Sequence, residues 1–162
     1  MFFQLYVLAV MIIAPILSIM IERPIKKIST VPFDTAIKWF VFWAIGVRLF
    51  TSGLTQVINP AYTSELLTFD ANYMFMIQEH GCANIAIGLL GILSLFSKNF
   101  REPAAITAGI YMLGAAILHS TRLGTMSGGE FIVLMTDIII VLIAAVFLLY
   151  KYNKNKDTQT RR

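Results

Sequence analysis

Gln78-Glu79-His80-Gly81-Cys82-Ala83-Asn84 sets a carboxylate beside an imidazole inside Tyr73 to Ser97, a stretch otherwise apolar enough to lie in a bilayer. The stretch exceeds the roughly 20 residues that cross a ~30 Å hydrocarbon layer at 1.5 Å per residue. The rest of the chain decides between a membrane helix and a buried soluble one. Of its 162 residues 57% are hydrophobic and only 14% charged, too few polar residues to cover a soluble globule. The mean hydropathy of +0.74 agrees. Tyr73 to Ser97 is therefore a membrane span, and polar groups inside a span are costly enough to mark a functional site.

On its N-terminal side lie two more spans. The first, Phe2 to Ile21, has no basic residue before it and Arg23, Lys26 and Lys27 after it. That is the reverse of a signal peptide, so it reads as a retained helix with its N-terminus outside. Pro15 is expected to bend it. Pro24 and Pro32 bracket a short basic loop, and Lys38 to Ile58 forms the second span, ended by Asn59-Pro60. The Asn59 to Asp70 loop carries Glu65 and Asp70 without Lys or Arg, so it belongs outside. On the C-terminal side Lys98 and Arg101 mark an inner loop, and Pro103 opens a fourth span that ends near Thr121. A Gly-rich outer turn, Arg122 to Glu130, precedes a fifth span from Phe131 to Tyr150.

Of the 13 Lys and Arg, eleven then fall inside: Arg23, Lys26, Lys27, Lys38, Lys98, Arg101, Lys151, Lys154, Lys156, Arg161 and Arg162. The expected fold class is all-α, a polytopic membrane protein with five transmembrane helices, N-terminus outside and C-terminus cytoplasmic, in a bacterial inner membrane. Residues 1–150 form a single transmembrane domain, and 151–162 a basic cytoplasmic tail expected to be disordered. There is no internal repeat, and the connections are too short for a second domain. The net charge of +4 sits mostly in loops and tail, where it suits a lipid bilayer with anionic headgroups; nucleic acid is not an expected partner. The single cysteine, Cys82, excludes an internal disulfide and, without a C-x-x-C pair, dithiol exchange; it reads as a packing residue. No metal site is expected.

Counting residues from helix ends places the intramembrane polar groups at similar depth. Arg48 lies ten residues below Ile58, and Glu79 and Asp137 six residues below the starts of their spans; these are roughly 15 Å and 9 Å. His80 adjoins Glu79, and His119 is nearer the outer surface. A charge facing lipid would cost at least ~2.5 kcal/mol, so these groups should turn inward, with Arg48 and Glu79 the expected ion pair. Asp137 must meet Arg48 or a histidine, or be protonated.

On the second span Arg48, Ser52, Thr55, Gln56 and Asn59 follow helical spacing, a polar stripe that either lines a wet crevice or binds neighbouring helices and its own carbonyls. On the third, Gly81, Asn84, Gly88 and Gly91 form a stripe for close helix packing, with Glu79 roughly 160–180° away. His80 and Asn84 share a face, as either a satisfied core pair or a ligand site. Tyr111, Ala115 and His119 lie on one line of the fourth span, with Tyr111 read as a packed aromatic. The candidate buried cluster is Arg48, Ser52, Gln56, Glu79, His80, Asn84, His119 and Asp137.

The run Val47-Arg48-Leu49-Phe50-Thr51-Ser52-Gly53-Leu54-Thr55-Gln56, then Pro60, Glu79-His80-Gly81 leading into Ile87-Gly88-Leu89-Leu90-Gly91, and His119 resembles the DoxX-like superfamily of small bacterial membrane proteins. It covers roughly residues 40–150. The resemblance implies a four-helix bundle to which the N-terminal helix is an addition, with Arg48 and Glu79 at the recurring polar positions. Gln56 stands where relatives often carry lysine. It also implies a ligand-binding or accessory subunit of a membrane redox assembly, alongside other membrane subunits. The alternative is a quinone-linked oxidoreductase or electron-transfer subunit in which Glu79, His80 and His119 move protons. Quinone is the possible cofactor. Haem b on His80 and His119 needs two histidines at equal depth, and their offset disfavours it.

Overall fold

The structure is a computed structural model that describes residues 2–25, 32–68 and 70–160. Six helices account for most of it: α1 (Phe2–Ile25), α2 (Phe33–Ile58), α3 (Pro60–Leu66), α4 (Met74–Phe96), α5 (Arg101–Ser120) and α6 (Gly128–Thr160). All but the short α3 are long and apolar enough to cross a membrane. Large side chains such as Ile16, Leu17, Phe75, Ile110 and Leu142 remain exposed on their outward faces, as lipid-facing residues must. The chain is an all-α polytopic membrane protein.

The boundaries follow local chemistry. Pro32, extended at φ −63° and ψ 142°, precedes α2. Asn59 breaks from helical geometry, and its side chain accepts from the Tyr62 backbone N–H at 3.3 Å while Pro60 occupies the first position, which starts α3. The Ser127 hydroxyl caps α6 by accepting from the Glu130 N–H at 3.1 Å. The stretch read as an outer loop, Asn59 to Asp70, thus contains a helix. The basic loop between α1 and α2 falls mainly on residues 26–31, outside the described residues.

Two helices contain a wider π turn, at Ala9–Ile13 of α1 and Val41–Val47 of α2. In α1 the turn lies just before Pro15, whose ring would clash with the carbonyl four residues back, at Met11, in a regular helix. Widening the turn relieves that clash where a simple bend was expected.

The tightest contact joins α2 and α4. A Cβ added at Gly88 would lie 2.4 Å from the Phe50 backbone nitrogen, and one at Gly46 would lie 2.7 Å from the Gly91 carbonyl carbon. Only hydrogen at these positions lets the two backbones approach this closely. The expected packing stripe on α4 therefore exists, and Gly46 and Gly53 are its counterpart on α2. On the opposite side of α2, Val41, Ala44 and Ile45 pack with Ala104, Ala105 and Ala108 of α5, Ile140 and Ala144 of α6, and Met11 of α1.

The end of the bundle away from α3 is held by charges in contact. Glu22 of α1 accepts from Lys38 and from the Trp39 indole N–H of α2, Lys151 of α6 pairs with Glu102 of α5, and Lys154 reaches Asp34 at 3.6 Å. In the stretch read as a tail, α6 continues without interruption to Thr160.

Candidate functional site

The half of the bundle nearer α3 holds a cavity of about 490 Å³. Arg48, Ser52 and Gln56 reach it from α2, His80 and Asn84 from α4, His119 from α5, and Asp137 from α6. Seven of the eight residues singled out in the sequence therefore meet around one space, through the helical spacing already described for each span. The π turn at Val41–Val47 ends where Arg48 begins. Each residue inserted into a helix turns the following side chains by about 100°, so this turn sets the direction of the whole polar stripe.

Glu79 is the exception. It is exposed, does not line the cavity, and makes no ion pair among the described residues. The expected Arg48–Glu79 pair is therefore not formed. The reason lies in the glycine seam: packing Gly81 and Gly88 onto α2 points the opposite side of α4, which carries Glu79, away from the bundle, where it is exposed.

Arg48 faces α6 instead. Its Nη2 makes a long contact of 3.5 Å to the Thr136 hydroxyl, its guanidinium lies 5.9 Å from the Phe3 ring centre, and it interacts electrostatically with Asp137 without a direct ion pair. Arg48 and Asp137 are each 5% exposed, Asn84 is 3% exposed, and each keeps one buried polar atom without a partner: Arg48 Nε, Asn84 Oδ1 and Asp137 Oδ2. Such atoms ordinarily cost about 1–3 kcal/mol each in a folded protein. The Asn84 amide is otherwise held, donating to Gln56 Oε1 at 2.8 Å. Thr55 bonds back to the Thr51 carbonyl at 3.0 Å while also lining the cavity, so the α2 stripe serves both roles that its spacing allowed.

His80 sits at the cavity edge, where its Nδ1 lies 2.6 Å from the Tyr111 hydroxyl. Tyr111 is thus a hydrogen-bonding partner rather than packing alone. His119 Nδ1 lies 3.5 Å from Glu130 Oε1, and Arg122 Nη1 lies 3.3 Å from the same oxygen. Glu130 is fully buried, and neither contact has hydrogen-bond geometry. It escaped the sequence reading because an acid beside Gly128-Gly129 resembles an ordinary first-turn residue at a helix N-terminus.

Two walls of the cavity were also missed. Phe2, Phe3 and Tyr6 of α1 line it, with the Tyr6 hydroxyl bonded to Thr51, so the helix treated as an addition forms part of the site. Tyr62, Thr63, Leu66 and Leu67 line it from α3 and its end, and Ser127 donates to the Leu66 carbonyl at 3.1 Å, tying α3 to the start of α6. Aromatic and aliphatic residues within an apolar span carry no signal that separates a cavity wall from a lipid-facing surface. Among the described residues no cluster of three or more His, Cys, Asp or Glu could hold a metal ion.

A family profile described as a family of unknown function, DUF6790, matches residues 1–157. The chain belongs to the DUF6790 family. That match includes α1, whose residues help to build the cavity. No curated protein and no solved structure matches the chain.

Proposed function

We propose that this DUF6790 chain holds a small amphipathic molecule in the cavity near α3, as a binding or accessory subunit of a membrane redox assembly. The observation that carries the binding reading is the placement of Arg48, Asn84 and Asp137: all three are buried, line one cavity and keep unpartnered polar atoms beside an apolar wall. About 490 Å³ lies within the usual range for a small-molecule site, and a few polar groups in an apolar lining are what fix a ligand's orientation. A purely structural core would have gained stability from apolar residues at these positions. The redox setting draws on the DoxX-like resemblance, whose recurring polar positions are Arg48 and Glu79. The excess of basic residues at the end away from α3 supports a bacterial inner-membrane location with the N-terminus outside and the C-terminus cytoplasmic.

A second reading, a quinone-linked oxidoreductase, is favoured by one observation. The His80–Tyr111 hydrogen bond of 2.6 Å at the cavity edge is a short route for a proton. Glu79 has no part in that route, because it lies on the other side of α4.

The test is photolabelling in membranes with decyl diazirine. Peptide mapping should find the label on Met112, which is 3% exposed and lines the cavity, in the natural protein. The label on Met112 should be reduced in Ala115→Phe, which takes up cavity space one helical turn from Met112, while lipid-facing residues such as Ile110 stay labelled. Equal labelling of Met112 in both proteins would reject the binding reading.

A further inference from the structure

We infer that the ligand of this cavity is electrically neutral and presents a hydroxyl group, donor and acceptor on one oxygen, to Arg48 and Asp137, with its apolar body against Phe3, Leu66 and Met112. The inference rests on the binding reading above and adds the chemical class.

The polar atoms left without partners specify it. Arg48 Nε is a donor and requires an acceptor; Asp137 Oδ2 and Asn84 Oδ1 are acceptors and require donors. A ligand that only accepts, such as an ether, leaves both oxygens unpaired. One that only donates leaves the guanidinium unpaired. A hydroxyl does both from one atom, the smallest group that answers both kinds of orphan.

The charges set the second condition. Arg48 and Asp137 line the same cavity, interact electrostatically across it, and do not touch. With Asp137 ionised, the formal charges of the two side chains cancel, and the cavity has no excess of either sign to neutralise an ion. A carboxylate drawn to Arg48 would be brought toward Asp137, and an ammonium drawn to Asp137 would be brought toward Arg48. In surroundings of low dielectric the like-charge contact opposes what the opposite-charge contact gains. A neutral dipole has no such conflict and can bridge the gap between the two side chains. His119, the other ionisable group on this wall, is already engaged by Glu130 at 3.5 Å, and His80 by Tyr111 at 2.6 Å.

The third condition is the wall. Phe2, Phe3, Tyr6 and Tyr62 bring four aromatic rings to the lining, and Leu66 and Met112 add aliphatic surface. An aryl or alkyl body suits this surface. A membrane phenol or quinol and an aliphatic lipid alcohol both fit the chemistry, and the experiment separates them.

The experiment is competition against decyl diazirine labelling of Met112 in membranes, with each competitor expressed as its concentration in the bilayer. The competitors are 4-heptylphenol, decanol, the methyl ether of 4-heptylphenol, decanoate and decylammonium. One or both hydroxyl compounds should displace the label at concentrations at least about tenfold lower than the ether, the effect of leaving one buried polar group unpaired. The phenol ahead of decanol identifies an aromatic source, and the reverse an aliphatic one. Decanoate and decylammonium should both be weaker than the hydroxyl compounds. In Asp137→Leu the advantage of the hydroxyl over the ether should disappear; should that variant not fold, the comparison in the natural protein decides alone. Ether and hydroxyl competing equally, or either ion competing best, would overturn this inference and leave the cavity as a binding site. Absence of label on Met112 would overturn both.

Discussion

The two ends of this bundle use the same residue types in opposite ways. Away from α3, Glu22 meets Lys38 and Trp39, Glu102 meets Lys151, and Asp34 meets Lys154, each acid in contact with its partner and each contact joining two helices. Toward α3, Arg48 and Asp137 face a shared cavity without touching, and Arg48, Asn84 and Asp137 keep buried atoms with no partner. Charge spent on contact holds helices together. Charge held apart around a space leaves its interactions for something that enters. Between the two ends the α2–α4 glycine seam fixes the helix that carries Arg48 against the helix that carries Asn84, so the open end is framed by a close backbone contact.

The largest effect is expected at that seam. Gly88→Leu would drive a side chain into the Phe50 backbone, where even a Cβ would lie 2.4 Å from nitrogen. With backbone rather than a flexible side chain in the way, the loss should exceed about 3 kcal/mol, the upper end of ordinary overpacking. Size-exclusion profiles in mild detergent should show aggregate; a monodisperse, thermally unchanged variant would mean that α2 and α4 are not in contact.

A double-mutant cycle tests the contrast between the ends directly. Arg48→Met or Asp137→Leu alone leaves one buried charge without its counterpart and should destabilise by about 3 kcal/mol. The double variant should be as stable as the natural protein, or more stable by roughly 1–4 kcal/mol, because apolar replacements carry no desolvation cost. Thermal unfolding in detergent reads all four states. If the two single losses simply add, Arg48 and Asp137 are not coupled and the cavity end is no different in kind from the other.

The smallest effect belongs to Glu79. Glu79→Gln should not destabilise the protein, because it breaks no pair and removes a charge from the outward face of a spanning helix, and it should leave decyl diazirine labelling of Met112 unchanged. A loss as large as that of Arg48→Met would restore the pairing that the sequence favoured and remove Glu79 from the outer face of α4.

How much of this was legible without coordinates differs between fold and site. Span number and type depend on length and apolar content, which are properties of consecutive residues, and the five spans follow from them. The membership of the site was also largely readable, because an arginine, an aspartate and two histidines in apolar helices must turn away from lipid. Which groups face one another was not. The pairing of Arg48 with α6 rather than with Glu79 depends on how α2 is rotated, and that rotation is set by the π turn at Val41–Val47 and by the glycine contacts at Gly46 and Gly53.

The sequence by itself determined an all-α membrane protein with polar residues concentrated in one half of the bundle, since periodicity and hydropathy are local and survive any arrangement of the helices. Only the tertiary structure decided that α1 and α3 line the cavity and that Glu130 is buried beside His119 and Arg122. Those features come from contacts between residues far apart in the chain. Phe3 meets Arg48, and Leu66 meets Ser127, only once close packing has fixed each helix in rotation and depth.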